Sequence, residues 1–191
     1  MKSEESWKPL AILSHKRRFV GQGERMETQC LSDICEYRKG KVAVGGLSLR
    51  NYISTENLVP NKGGIIEASG LPDITSTQEY KSGDVLVSNI RPYFKKIWHA
   101  KTNGGCSNDV LVFTAKPGID PLFLYYVLAD DKFFDFSMAS SKGTKMPRGD
   151  KSAIMNFCVP KFDLNVQRKI GQFLRNIDDK ISINAQINGN L

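Results

Sequence analysis

Hydrophobic positions near the end of the chain recur at three- and four-residue spacings: Val166, Ile170, Phe173, Leu174, Ile177 and Ile181. Gln167, Arg168, Lys169, Arg175, Asp178, Asp179 and Lys180 fall largely on the other faces. The spacing predicts an amphipathic helix, capped by Asp163 or Asn165, of about 25 residues or roughly 37 Å. Its apolar line resembles a coiled-coil seam.

Upstream, the runs Asp84 to Ile90, Lys96 to Ala100 and Asp109 to Thr114 carry strand chemistry, and their short, turn-rich connections predict an antiparallel meander. Asp120-Pro121 reads as an N-cap and first helical residue, opening one long helix through LFLYYVLADDKFFDF, whose aromatics are expected in the core. Ala153 to Val159 reads as a strand ended by Pro160. Towards the start, TQCLSDICEY fits a strand or a short helix, Asn51 to Ser54 a strand, and 60 to 73 a loop with one strand at Ile65-Ile66. The fold class expected is α+β: a mainly antiparallel sheet with packed helices, then a long C-terminal helix. Residues 1–25 lack steady periodicity and read as an extension, with a basic run at Lys16, Arg17 and Arg18.

At 191 residues, 40% apolar and 25% charged, the chain is long enough for one domain that buries roughly 70% of its unfolded surface. No run reaches the roughly 18 apolar residues of a membrane span, and the start carries acidic residues where a secretory leader is basic and apolar, so a cytoplasmic protein is expected. Cys30, Cys35, Cys106 and Cys158 are then expected as free thiols.

Charge adds more. The net charge is +7. Residues 81–101 hold five basic side chains against Asp84, and residues 142–151 hold four against Asp150. Those two excesses account for all of it, leaving 18 basic and 18 acidic residues elsewhere. Concentrated basicity suits a surface that meets a polyanion, although two solvated loops that aid solubility would give the same count.

Catalytic and metal chemistry find little support. Ser88, His99 and Asp109 invite a triad, but no nucleophile-elbow glycines surround Ser88, and His99 follows Trp98 on a strand. Cys30 and Cys35 lack a matching second pair for a closed zinc site. Neither a phosphate loop nor a dinucleotide fingerprint is present, and Arg148-Gly149-Asp150 reads as chance.

Six segments in order resemble one family. They are LSDICEYRKGK, YISTENL, GDVLVSNIRP, LFLYYVLADDKF, the Gly143-Thr144 segment, and VPKFDLNVQRKIGQFLRNIDDKISINAQINGNL, together covering about residues 26–191. The chain is similar to the specificity (S) subunits of type I restriction-modification systems. The resemblance implies a target recognition domain at 26–162 that reads one half of a bipartite DNA sequence, followed at 163–191 by a spacer helix. Such subunits usually hold two domains and two antiparallel helices, so a half-subunit, truncation or fragment is implied here.

The implied partners are double-stranded DNA, the methyltransferase and restriction subunits, and a second copy or second specificity half held by antiparallel coiled-coil pairing. No catalytic residue, metal or cofactor is implied for this chain; S-adenosylmethionine would serve the methyltransferase. The DNA-facing candidates are Ser88, Asn89, Arg91, Lys95, Lys96, Lys101, Lys142, Lys145, Arg148 and Lys151. Lysines would neutralise phosphates, and Asn89, Arg91 and Arg148 would reach base edges. Helix pairing falls to Val166, Ile170, Phe173, Leu174, Ile177 and Ile181. The competing reading is a non-catalytic adaptor, or another DNA-binding protein that dimerises through this helix.

Overall fold

The computed structural model describes residues 27–189, so the expectation for 1–25 lies outside the described residues. Two four-stranded sheets and a two-stranded ladder carry the fold. The central sheet has the order β2 (Cys35–Tyr37), β9 (Val110–Ala115), β6 (Val85–Ser88), β7 (Ile97–His99), and every neighbour is antiparallel.

Its period-two alternation feeds two cores. Val85, Val87, Leu111 and Phe113 face a cluster built with α1 (Leu31–Ile34), α2 (Pro121–Ala129), α3 (Asp131–Ala139) and α4 (Lys151–Ile154), including Leu124, Leu128, Phe133, Phe134 and Ile154. Leu86, Val110 and Val112 point the other way, to Ile53, Leu58, Tyr80 and Cys106. A strand buried on both faces must be apolar throughout, which explains the unbroken runs at β6 and β9. The second sheet has the order β3 (Lys41–Ala43), β5 (Ser76–Tyr80), β8 (Gly104–Cys106), β4 (Tyr52–Ile53), with one parallel pair, β4 on β8. Cys35 and Cys106 lie in these cores, and burial pushes both thiols up to about 12.

The α+β expectation is met, and four details differ. The three expected strands do not form a meander: β7 and β9 both pair with β6, and the chain passes through β8 in the other sheet between them. Gly104-Gly105, read as turn, lie in β8 because only glycine fits there. A Cβ on Gly104 would lie 2.0 Å from the Asn51 carbonyl oxygen, and one on Gly105 2.6 Å from Leu47. The single long helix is two, since Asp130 leaves helical geometry and its carboxylate accepts from Lys132 N as the cap of α3. Finally, Lys151–Ile154 is helical, capped by Asp150 accepting from Ser152 N and Ala153 N, and only Cys158–Pro160 is strand (β10).

That last strand pairs with β1 (Thr28–Cys30) and leads into α5 (Leu164–Gly189). Asp163 is the cap, accepting from Asn165 N and Val166 N. The first half of α5 docks on α2. Buried Gln167 accepts from Asp120 N and donates to the Phe162 carbonyl, Gly171 lies against Phe123 N and Leu122, and Tyr126 donates to Asp178. Beyond Asp178 the side chains through Asn188 are exposed, so about ten residues, roughly 15 Å of helix, stand clear of the domain.

His99 lies at this junction, its ring 5.7 Å from that of Tyr125. Desolvation, then the nearby Arg175 on α5, lowers its pKa below the ordinary value, against the opposing pull of Asp120 and a backbone bond to Gly83. A histidine whose folded pKa is lowered destabilises the fold as pH falls through its unfolded value near 6.5. The urea midpoint is therefore expected to drop between pH 7.5 and 5.5, and His99→Gln to reduce that dependence. An equal drop in the variant would remove His99 as its source.

Candidate nucleic-acid interface

The two basic segments, about 50 positions apart in sequence, meet. Ile90 and Arg148 form an antiparallel bridge, Arg148 forms another with Lys142, and Arg91 N donates to the Pro147 carbonyl at 2.9 Å. Residues opposite each other in such a ladder share a face, which sets Lys142 beside Arg148.

The Arg148-Gly149-Asp150 tripeptide has structural duties. Arg148 Nε pairs with Asp109 at 3.2 Å, and Asp150 caps α4 while pairing with Lys142 at 2.9 Å. Gly149 is required because a Cβ there would lie 2.6 Å from Ser137 Oγ and 3.1 Å from Asn89 Oδ1.

The ten sequence candidates divide by position. Ser88 and Asn89 are buried: Ser88 Oγ donates to the Ile90 carbonyl, Asn89 N to the Asp109 carbonyl, and Asn89 Oδ1 is shut in without a hydrogen-bond partner among the described residues. They shape the turn after β6 and do not face solvent, which corrects the sequence reading of both as groups within reach of DNA. Lys95 pairs with Asp131 at 2.9 Å, and Lys96 donates to the Thr55 carbonyl at 2.5 Å; each is half-buried. Lys101 lies at the other end of the β6–β7 hairpin, beyond the His99–Val85 pair, so it stands apart from the group. Lys142, Lys145, Arg148 and Lys151 are exposed, and Lys145 and Lys151 make no ion pair within the described residues. Arg91 is half-buried, with its Nε unpartnered among those residues.

A feature the sequence reading passed over lies between Arg91 and Lys95. Pro92–Phe94 form one turn of 3-10 helix, and both flanking residues adopt left-handed backbone, φ 50° at Arg91 and 51° at Lys95. Asn61 and Lys62, at φ 54° and 63°, donate backbone N–H groups to the Phe94 and Lys95 carbonyls. These four are the non-glycine residues with positive φ among the described residues, each costing about 1–2 kcal/mol. Asp131 ties the two turns together through Lys62 and Lys95, whose hydrogen bonds hold its carboxyl down to about 2. The sequence signal was Arg91-Pro92-Tyr93, which falls in the first of the short connections between the expected strands.

The residues weighed for a triad do not come together among the described residues. Ser88, set aside as a nucleophile on sequence grounds, pairs with Val110, while His99 pairs with Val85 three residues along β6, roughly 10 Å away. Asp109 is engaged by Arg148. Among the described residues no three His, Cys, Asp or Glu side chains are grouped to hold a metal ion. No helix among them is long and apolar enough to cross a membrane.

The helix-pairing candidates also divide. Phe173 is 65% exposed, Ile177 40% and Ile181 61%, whereas Val166, Ile170 and Leu174 are half-buried beside the domain.

The type I restriction modification DNA specificity domain family matches residues 23–191. The chain belongs to that family. It is 28% identical over 128 residues to the EcoDI type I restriction enzyme specificity subunit of Escherichia coli, an alignment covering 63% of this chain and 28% of that subunit. The specificity domain's fold is also that of solved relatives. The HsdS subunit from Thermoanaerobacter tengcongensis superposes with a TM-score of 0.61 at 20% identity, covering 84% of this chain and 44% of that one. For the type I restriction-modification S subunit from M. genitalium the TM-score is 0.57 at 18% identity, covering 87% and 43%. The chain therefore spans less than half the length of these relatives.

Proposed function

We propose that this specificity domain reads one half of a bipartite duplex target for a type I restriction-modification system and brings methyltransferase and restriction subunits to it. It does so without catalytic chemistry of its own, the methyl donor S-adenosylmethionine belonging to the methyltransferase. The observation that carries this reading is the meeting of both basic segments on one short ladder at the end of β6, in a chain of this family. Lys145 and Lys151 are the phosphate contacts, being exposed and free of ion pairs among the described residues, and Arg148 and Arg91 are the groups assigned to base edges. Lys142 adds charge beside Arg148. Residues 163–191 form the spacer, whose free seam pairs with another such helix and fixes the distance between two half-sites.

Reversing Lys145 and Lys151 to Glu is expected to weaken duplex binding at every sequence and to lower the slope of log affinity against log salt by about 2. An unchanged slope would remove these residues from the interface. Absence of DNA binding at low salt, with the methyltransferase present, would favour the adaptor reading.

A further inference from the structure

Among the described residues three aromatic side chains are exposed: Phe173 on α5, and Tyr93 and Phe94, at 48% and 37%, on the turn between β6 and β7. The last two rings lie against each other, centroids 4.7 Å apart, and so form one apolar surface. Neither ring belongs to the two core clusters.

Their support is unusual. The non-glycine left-handed residues among the described residues all belong to this turn or to the 61–62 turn that braces it. Two internal hydrogen bonds (Phe94 N to the Arg91 carbonyl, Lys95 N to the Pro92 carbonyl) and two from the brace fix its backbone. A loop that merely joins two strands gains nothing from such strain, and strain held in place by surrounding structure collects where a side chain must be presented in one position. A pre-set aromatic pair loses little freedom when it binds.

Charge selects the occupant. Arg91 and Lys95 flank the pair, the Lys96 ammonium lies 5.9 Å from the Phe94 ring centre, and Arg148 is one bridge away beside Ile90. An apolar face with Arg91 and Lys96 beside it, and with Lys95 shared with Asp131 and Arg148 with Asp109, is bordered by more cations than carboxylates. It suits a ligand that is flat and apolar between anionic edges, which describes stacked bases between phosphates.

We propose that Tyr93 and Phe94 form a rigid wedge that packs against a base step of the bound duplex and partly unstacks it. This inference rests on the DNA-reading function proposed above, and it adds a contact that charge counting does not supply. Its free energy comes from apolar contact with base faces, and so it is independent of salt.

The test uses the full chain with its methyltransferase, and a short duplex carrying the sequence that becomes methylated in cells expressing the two together. 2-Aminopurine is placed at successive positions of that duplex. The unmodified chain is expected to raise the fluorescence at one step. Tyr93→Ala with Phe94→Ala is expected to abolish the rise and weaken binding about 10- to 100-fold with the salt slope unchanged. Tyr93→Phe with Phe94→Tyr is expected to keep both. Circular dichroism at the binding temperature is expected to show all three proteins fully folded, the alanine variant with a somewhat lower melting temperature because Phe94 is only 37% exposed. Binding by the alanine variant within twofold of the original overturns the wedge, as does normal binding by the unmodified chain with no fluorescence change at any position. Loss of methyltransferase with DNA affinity intact also overturns it, placing a protein on the rings instead. If the unmodified chain directs no methylation, the DNA-reading function fails, and the wedge with it.

Discussion

Replacing Asp84 by alanine is expected to destabilise the fold by about 3–5 kcal/mol, a large share of the 5–15 kcal/mol that holds most domains together. Asp84 is buried at the start of β6. Its carboxylate accepts from Arg38 Nε, from Arg38 Nη2 at 2.9 Å, from Thr114 Oγ1 at 2.9 Å and from Lys81 N at 2.7 Å. Those donors come from the segment after β2, from β9, and from the turn before β6, so one side chain pins three parts of the central sheet. Removing it leaves the mostly buried Arg38 guanidinium with only Glu79, at 3.8 Å. An unpaired buried charge is the costly outcome, more than the lost attraction itself. Urea denaturation measures this, with Asp84→Asn expected to lose less because the amide still accepts hydrogen bonds. A loss below about 1 kcal/mol for the alanine variant would contradict the account.

The second large effect is expected on association. Phe173 and Ile177 lie on the solvent side of α5, where they contribute little to the isolated domain. Together with Ile170 they follow the three-then-four spacing of a coiled-coil seam. If this face pairs with a second copy, each side chain becomes buried, and an aspartate at either place loses that burial and adds a desolvated charge. Phe173→Asp with Ile177→Asp is expected to raise the dissociation constant at least about 100-fold while leaving thermal stability of the monomer unchanged. Sedimentation at several concentrations reads the difference. Identical behaviour of the two proteins across the range would exclude pairing through this seam.

Local chemistry explains what the sequence made legible. The period of α5, the cap pair Asp120-Pro121 and the apolar runs at β6 and β9 are properties of neighbouring residues, and each element appears where its pattern lies. Two of the misreadings also had a local signal. Asp130 and Asp150 are N-caps placed before Asp131-Lys132 and before Lys151-Ser152; the first marks a helix start inside a stretch read as one helix, the second a helix that runs into the stretch read as a strand. Other features had none. That Gly104-Gly105 form a strand depends on the approach of Asn51 and Leu47 from elsewhere in the chain. The partition of β7 and β9 to opposite sides of β6 is likewise a matter of long-range pairing.

The same division runs through the site. That charge is concentrated in two segments could be counted from the sequence, but which cations stay free could not. Lys95 and Lys96, adjacent and basic, look like the natural phosphate contacts, yet Asp131 and the Thr55 carbonyl engage them. Ser88 and Asn89 lie where strand alternation breaks, and their burial depends on chain segments far away in sequence, such as Gly149, which lies against Asn89 Oδ1. The aromatic turn escaped notice because its distinguishing property is backbone conformation, and no residue type in Arg-Pro-Tyr-Phe-Lys announces positive φ.

On the function proposed, this chain chooses a DNA sequence for a methyltransferase. Co-expressing it with type I methyltransferase and restriction subunits, in a host free of other such systems, and mapping methylated positions across the genome tests that directly. The expected result is methylation at one bipartite motif, palindromic if two copies of this chain pair, and lost when Arg91, Lys145, Arg148 and Lys151 are replaced together. Methylation that is absent, or that falls on the same sites whether or not this chain is present, would contradict the claim.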